Sequence, residues 1–163
     1  SAKTGWRLQL GDPNAMSSRD VLPNDKWVHL ACVYNGETGK KYIYINGELQ
    51  GETTDSRHTI SLANAYGQND LFYIGQSAAD DRLMEGWVCE ARVWATARTA
   101  AELKNNVCWV DPTSKDLVAY WRFNEGSGNT FNDATGHGHT LTTHATPIWV
   151  DGIKSTDEQT NWQ

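Results

Sequence analysis

The sequence contains neither a basic run nor a long apolar run. Its 14 lysines and arginines are outnumbered by 20 aspartates and glutamates, which gives a formal net charge of −6 at pH 7. Because no basic cluster could follow a phosphate backbone, we expect no nucleic-acid partner. No segment approaches the roughly 20 consecutive apolar residues of a membrane-spanning helix, so we expect no membrane insertion.

Cysteine is also scarce. The three cysteines, Cys32, Cys89 and Cys108, are widely spaced and form no CxxC pair, which excludes a zinc-finger arrangement. Cys32 and Cys89 fall inside strand-like segments, so we expect them to be buried as small hydrophobic residues. The sequence also allows one disulfide between two of the three cysteines.

The length and apolar content predict one domain over residues 1–163. The chain is 39% hydrophobic and carries eight tryptophans, enough for a single core. The N-terminal SAKTGW has neither the basic nor the apolar region of a signal peptide, and strand-like GWRLQL follows at once. We therefore expect the chain to be a piece of a longer protein.

Short alternating segments, separated by Gly, Asn and Asp clusters, predict an all-β fold of antiparallel strands. In KYIYINGELQG, Asn46 and Gly47 supply the two residues at positive φ that a type I′ hairpin turn requires. The remaining strand candidates are GWRLQL, WVHLACVY, LFYIG, WVCEARVW and LVAYWRF.

Period-two alternation also predicts the core. It places Trp27, Trp87 and Trp121 inside, together with Ile43 and Ile45. One short helix is expected in RTAAELKNN, where Thr99 and Glu102 have the spacing of a capping box.

Three segments in order carry a family resemblance: DKWVHLACVYNGETGKKYIYINGELQG, LFYIGQ and EGWVCEARVWATARTAAEL. They resemble the laminin-G-like domains, pentraxins included, of the concanavalin A-like lectin and glucanase superfamily. The tail LVAYWRFNEGSGNTFNDATGHGHTLT is similar to a segment of bacterial laminin-G-like proteins. Cys89 departs from the family pattern, which usually has Asp beside the glutamate.

The resemblance implies a two-sheet antiparallel sandwich of the concanavalin A-like jelly-roll type, on the surface or outside of a bacterial cell. The family's opening strands have no counterpart ahead of GWRLQL, so either they are missing or the tail replaces them. Pentraxins bind calcium just after their GQ, which makes Gln76, Asp80 and Asp81 the candidate calcium ligands here. Residues 77–79 supply no carboxylate or amide oxygen, of which calcium needs several.

The stretch FNEGSGNTFNDATGHGH, residues 123–139, is either a site or a turn. It fits neither a calcium loop nor a phosphate-binding loop. We expect a turn, in which Asp133 accepts hydrogen bonds at Thr135 and Gly136. A metal held by His137, His139 and His144 is the less favoured alternative.

Catalysis is not expected. Retaining glycosidases need two carboxylates about 5 to 5.5 Å apart, and the superfamily's glucanases place them on one strand face as E-x-D-x-x-E or E-x-D-x-E. No glutamate begins that pattern, and the nearest candidate, Glu90, has Val88 and Arg92 as its i±2 neighbours. We expect Glu90 to form a cross-strand ion pair.

A binding module requires aromatic planes for sugar rings and polar groups for hydroxyls on the loops of a rigid sheet. We therefore predict a non-catalytic carbohydrate-binding or adhesive module, whose partners are a glycan or a surface protein and the other domains of a parent protein. The alternatives are a protein-interaction or spacer module and a degenerate glycoside hydrolase relative. Tyr73 is a further aromatic candidate, and the predicted ligand-binding residues are Asn64, Tyr66, Gln68, Asn69, Asp70, Trp94 and Trp109.

Overall fold

The computed structural model describes residues 7–8, 15–16, 26–54, 72–75, 83–143 and 145–152. Within these ranges the chain forms nine β-strands and one α-helix. The elements are β1 (Arg7–Leu8), β2 (Ala15–Met16), β3 (Leu30–Asn35), β4 (Lys40–Ile45), β5 (Glu48–Thr54), β6 (Ala91–Trp94), α1 (Ala100–Asn105), β7 (Leu117–Trp121), β8 (Thr130–Phe131) and β9 (Leu141–Thr142).

Every strand pairing among the described residues is antiparallel. β3, β4 and β5 form a three-stranded meander, while β1 pairs with β2, β6 with β7 and β8 with β9. The predicted all-β class is therefore confirmed. In the described part of the chain no helix could cross a bilayer, since α1 has only six residues.

The turn between β4 and β5 is the predicted hairpin. Asn46 has φ 52° and Gly47 has φ 77°, so both central residues adopt the left-handed conformation of a type I′ turn. Asn46 also fixes the start of β3, because its Oδ1 accepts the His29 N–H at 2.9 Å and its own N–H donates to the His29 carbonyl at 2.8 Å. The local turn thus sets the pairing of β4 with β5, and the bonds between Asn46 and His29, 17 residues apart, help to position β3.

Helix α1 begins with the predicted capping box. The Glu102 N–H donates to Thr99 Oγ1 at 3.3 Å, and the Thr99 N–H donates to the Glu102 carboxylate at 2.8 Å. The helix buries Leu103 against Val33 and Tyr44 of the meander. A helix this short depends on such packing, because isolated helices of its length are unstable.

A second apolar cluster lies beside the β6–β7 pair. It contains Val110, Leu117 and Tyr120, with Trp94 packed against it. Trp121, at the end of β7, is also buried, as are Ile43 and Ile45 in β4. The burial predicted for these three residues is confirmed.

Two strand predictions need correction. The segment WVCEARVW enters a sheet only at Ala91, because Glu90 has φ 56° and breaks the alternation before it. Trp87 is consequently not in the core but 54% exposed, while Trp27 is half-buried. Of the predicted strand LFYIG, residues 72–75 are described and form no strand.

No disulfide joins Cys32, Cys89 and Cys108, all of which lie in the described part of the chain. Cys108 is buried and Cys89 half-buried, but Cys32 is exposed, which contradicts the predicted burial. Cys32 pairs with Ile43 across the sheet. Ile43 is buried in the middle strand, whereas β3 is an outer strand of the meander and leaves Cys32 accessible.

Candidate functional site

An open groove of about 1280 Å³ is lined mostly by irregular segments of the chain outside the strands. Its lining includes the ranges 72–75, 86–90, 122–124 and 147–152. Sites for a single small molecule usually measure about 300 to 1,000 Å³, so this groove can take a larger ligand. It is the main candidate site in the described part of the chain.

Three exposed aromatic rings lie along the groove. Trp87 is 54% exposed, Phe72 is 56% exposed and Tyr73 is 37% exposed. Phe72 stacks on the buried Trp121, with ring centroids 5.5 Å apart and planes 19° from parallel. That contact connects one wall of the groove to the core.

A second row of aromatic rings lines the same groove. Phe123 meets Phe131 edge to face with centroids 5.0 Å apart, and Phe131 lies 5.9 Å from the ring of Trp149. Such contacts add to the stabilisation from buried area and hold each ring in place. The groove therefore offers rigid apolar planes.

The polar part of the groove is built on Glu90 and Arg122. The Nε of Arg122 donates to Glu90 Oε1 at 3.2 Å, so Glu90 forms the predicted ion pair, although both residues lie just outside the paired strands β6 and β7. Arg92 Nη2 and the Tyr120 hydroxyl both donate to Glu90 Oε2. One carboxylate is thus held by three donors, and Arg122 is the more exposed of the two guanidinium groups.

Arg92 lies behind the groove and connects the sheet to the helix. Its guanidinium donates to the backbone carbonyls of Asn106 and Val107, just after α1. It also covers the ring of Tyr120, with its central carbon 5.0 Å from the ring centroid. Burial raises the pKa of Tyr120, and the hydrogen bond to Glu90 raises it further.

Two groove residues have an unfavourable backbone conformation. Glu90 and Phe123 each have φ 56°, a left-handed conformation that is rare for residues with a bulky side chain. They are close together, because the Glu90 N–H points to the carbonyl of Arg122, 3.5 Å away. Strain of this kind is typical of functional sites, where the surrounding structure maintains it.

The aromatic residues predicted to bind ligand divide between the groove and the rest of the surface. Tyr73 lines the groove. Trp94 is half-buried in the second apolar cluster, with the Arg98 guanidinium 4.2 Å above its ring. Trp109 is 44% exposed, and neither it nor Trp94 is among the residues that line the groove.

The other predicted ligands lie outside the described residues. These are Asn64, Tyr66, Gln68, Asn69 and Asp70, and the calcium candidates Gln76, Asp80 and Asp81. The described residues next to these positions, Phe72, Gly75 and Met84, line the groove. The Met84 N–H donates to the Gly75 carbonyl at 2.8 Å, which brings the two ends of the segment between them together. All eight assignments remain predictions.

The stretch of residues 123–139 forms a turn around Asp133. Its Oδ1 accepts the N–H of Thr135 at 3.0 Å, as predicted, and the N–H of Tyr120 at 3.1 Å, while its Oδ2 accepts the N–H of His139 at 3.1 Å. Gly136 donates to the backbone carbonyl of Asp133 instead of the side chain. Burial disfavours the charge, but these hydrogen bonds outweigh it and lower the pKa of Asp133 to about 2.

The histidines of this stretch have structural contacts of their own. His137 Nδ1 lies 2.9 Å from the carbonyl of Val118, and the carbonyl of His139 accepts the indole N–H of Trp121. His144 lies outside the described residues. The described ranges contain no group of three His, Cys, Asp or Glu side chains that could hold a metal ion.

Three aromatic residues of the groove, Phe72, Trp87 and Trp149, are not among the predicted ligand-binding residues. Trp87 was assigned to the core by period two, and Phe72 was assigned to a strand. Trp149 stands in PIWVD, a segment for which no strand, turn or site was predicted. No sequence signal connects these three positions, because they are far apart in the chain.

Comparisons with known proteins identify the relatives of this chain. Similar solved structures include a proposed carbohydrate-binding protein from Bacteroides ovatus, 28% identical, with a TM-score of 0.62 over 85% of this chain and 42% of that one. An S-layer domain-containing protein from Clostridium thermocellum is 28% identical, with a TM-score of 0.41 over 58% of this chain and 44% of that one.

The chain therefore spans less than half the length of each of these structures. No curated protein matches it significantly. A laminin-G family model, described as the Concanavalin A-like lectin/glucanases superfamily, matches residues 1–104, which is more than half of the chain. The chain belongs to this laminin-G family of the concanavalin A-like lectin/glucanase superfamily.

Proposed function

We propose that this chain is a non-catalytic carbohydrate-binding module of a larger bacterial protein, located at the cell surface or outside the cell. The observation that carries the proposal is the groove, where the exposed rings of Trp87 and Tyr73 share one cavity with Glu90, Arg122 and Asn124. The similar Bacteroides ovatus structure, a proposed carbohydrate-binding protein, supports it.

The chemistry of the groove suits a sugar. The C–H faces of a sugar ring are apolar and can cover an exposed aromatic plane, while its hydroxyls need donors and acceptors nearby. Arg122 is partly exposed and Glu90 orients it, so its remaining N–H groups can point into the groove. Asn124 adds an amide, which both donates and accepts.

Glu90 is better suited to a structural role than to nucleophilic attack. Three donors, from Arg92, Arg122 and Tyr120, already occupy its oxygens. A retaining glycosidase leaves its nucleophile free to bond to the sugar. Asp151 is the other carboxylate among the described groove residues. The alternative of a degenerate glycoside hydrolase relative is tested by measuring the release of reducing sugar from any glycan that the protein binds.

Trp87→Ala tests the proposal. A glycan array first identifies the bound sugars, and isothermal titration then measures their affinity. Covering an exposed aromatic ring contributes about 1.5 to 3 kcal/mol, so Trp87→Ala should weaken binding about tenfold or more. Because Trp87 is exposed in the free protein, the melting temperature should barely change.

Trp109→Ala is the matched control. Trp109 is 44% exposed but does not line the groove, so its removal should leave the affinity unchanged. If Trp109→Ala weakens binding and Trp87→Ala does not, the sugar binds elsewhere on the surface. If the array shows no bound glycan, the proposed function is wrong.

Protein binding is the second candidate function. Ile148, Val150 and Phe72 leave apolar side chains exposed along the same groove, and contiguous apolar surface of this kind is typical of protein interfaces. An interaction module would leave the array blank and would associate with its partner through the groove, whereas a spacer module would leave the array blank and show no association. In that case Ile148→Asp would abolish the association.

Calcium remains part of the proposal. The candidate ligands Gln76, Asp80 and Asp81 follow directly on Gly75, which lines the groove. A cation that binds only the folded state stabilises it by about 2.7 kcal/mol at one hundred times its dissociation constant. Melting curves in millimolar calcium and in chelator test this, and coincident curves would rule it out.

A further inference from the structure

The groove continues into a second, smaller cavity. This cavity of about 450 Å³ is lined by the ranges 126–129 and 145–147 and by Trp149. Gly126, Ala145, Pro147 and Trp149 line both cavities. The two are therefore adjoining parts of one depression that share these four residues. We call the smaller part the side cavity.

The side cavity carries groups suited to sugar hydroxyls. Ser127 and Thr146 are exposed, and their hydroxyls form no hydrogen bond with the residues that the structure describes. Both can therefore donate and accept. Trp149 adds an aromatic side chain, so the side cavity repeats the composition of the main groove: an aromatic residue beside polar groups.

The loop that forms the side cavity is held in place before any ligand binds. The Asn132 N–H donates to Glu125 Oε1 at 2.8 Å, and the Thr143 N–H donates to the Asn129 carbonyl at 3.0 Å. Gly126 has φ 73° and Gly128 has φ 82°, conformations that favour glycine. A preformed loop loses little conformational entropy on binding, which favours affinity.

We propose that the main groove and the side cavity are consecutive subsites for one extended glycan chain. The module then binds several neighbouring units of a linear polysaccharide, in preference to a single sugar or a lone terminal unit. This inference rests on the proposed carbohydrate-binding function and specifies its substrate class. Because both subsites bind parts of one chain, occupation of the first raises the effective concentration at the second.

The experiment is a length series. Oligosaccharides of two to six units, prepared from laminarin, cellulose, xylan, mannan and any further glycan that the array identifies, are titrated into the full chain by isothermal calorimetry. For the series that binds, affinity should rise about tenfold or more from the shortest to the longest member and then level off, because the second subsite adds its own contacts.

Ser127→Leu separates the two subsites. A leucine at this exposed position fills the side cavity and offers no hydrogen bond, so the gain with length should disappear while the short members keep their affinity. Trp87→Ala, in contrast, should weaken every member. Ala97→Leu places the same side chain at an exposed position outside both cavities and should bind as wild type does.

Each outcome decides the inference. If all lengths bind equally, or if Ser127→Leu keeps the full gain with length, the side cavity is not a subsite, although the proposed function stands. If wild type binds none of these series and the glycan array is blank, both the inference and the proposed function fail. Thr146 also lines the side cavity, so Thr146→Leu replaces Ser127→Leu if that variant does not fold.

Discussion

At the scale of single residues, Asp133 shows how one carboxylate can organise a long turn. Its two oxygens accept bonds from the backbone of Tyr120, Thr135 and His139, which come from a strand, from the turn and from the segment after it. These groups would otherwise lack partners in a partly buried site, which is costly. The glycines and histidines around it therefore form a scaffold beside the groove.

We predict that Asp133→Ala destabilises the protein in a pH-dependent manner. The folded state lowers the pKa of Asp133 from 3.8 to about 2. The charged form therefore stabilises the fold above about pH 4, and this contribution is lost as the pH falls to 2. Allowing for solvent screening, it amounts to about 1 to 2 kcal/mol, measurable by urea unfolding at pH 6 and pH 2.5.

Asp111→Ala is the control for this prediction. Asp111 makes a similar turn, accepting from the N–H and hydroxyl of Thr113 at 2.8 and 2.7 Å, but it is exposed and has no bond to a strand. It should cost less than Asp133→Ala at pH 6. Equal losses for the two variants would contradict the structural role of Asp133.

At the scale of elements, the hairpin turn and the helix are fitted to each other. Gly47 closes the β4–β5 hairpin, and the space where a side chain would stand is occupied by Lys104 of α1. Lys104 Nζ also lies 2.9 Å from Glu48 Oε1, an exposed pair that contributes little. The close approach of backbone to helix therefore determines how α1 sits on the meander.

We predict that Gly47→Ala costs more than about 2 kcal/mol of stability. The left-handed conformation alone costs about 1 to 2 kcal/mol for a residue with a Cβ. In addition, the new Cβ would lie 2.7 Å from Lys104 Cβ and 3.0 Å from its Cα, so the helix must shift. Urea unfolding measures the loss.

Gly128→Ala isolates the packing part of that loss. Gly128 has φ 82°, but an added Cβ would meet no atom within 4 Å. This variant therefore carries only the backbone strain. If Gly47→Ala and Gly128→Ala lose the same amount of stability, the contact between position 47 and Lys104 adds nothing to the backbone strain, and the prediction is wrong.

At the scale of the whole molecule, the network around Arg92 connects parts that are far apart in sequence. It ties β6 to the segment after α1, and through Glu90 and Tyr120 it reaches β7 and the floor of the groove. Arg92 is also near His29 at the start of the meander. Burial first, and then the charge of Arg92, lower the pKa of His29 from 6.5 to about 4.

We predict that Arg92→Met destabilises the protein by at least about 2 kcal/mol. It removes hydrogen bonds to a charged partner and leaves the carbonyls of Asn106 and Val107 without their donor. It also removes a charge that lowers the pKa of His29, so that pKa should rise. Urea unfolding and NMR titration of His29 measure the two effects.

Lys40→Met is the matched control, since it removes a cation from the exposed pair with Glu52, 2.8 Å apart. Exposed pairs contribute about 0 to 1 kcal/mol, so the loss should be small. If Arg92→Met and Lys40→Met have the same free energy of unfolding, the contacts of Arg92 contribute no more to stability than an exposed ion pair, and the prediction is wrong.

Features that depend on neighbours in the chain could be predicted from the sequence alone. Alternation gave the antiparallel strands, Asn46 and Gly47 the hairpin, Thr99 and Glu102 the helix start, and Asp133 its turn. Each is predictable because its donors, acceptors and backbone angles lie within a few residues of one another.

The candidate site, in contrast, depends on contacts between distant parts of the chain. The groove brings together Phe72, Trp87, Phe123 and Trp149, which no local pattern connects. Period two placed Trp87 in the core because it assumes a continuous strand, and the left-handed Glu90 ends that regularity. Glu90 adopts this conformation where Arg92, Arg122 and Tyr120 converge on its carboxylate, so long-range contacts and not local propensity determine which aromatic rings face the solvent.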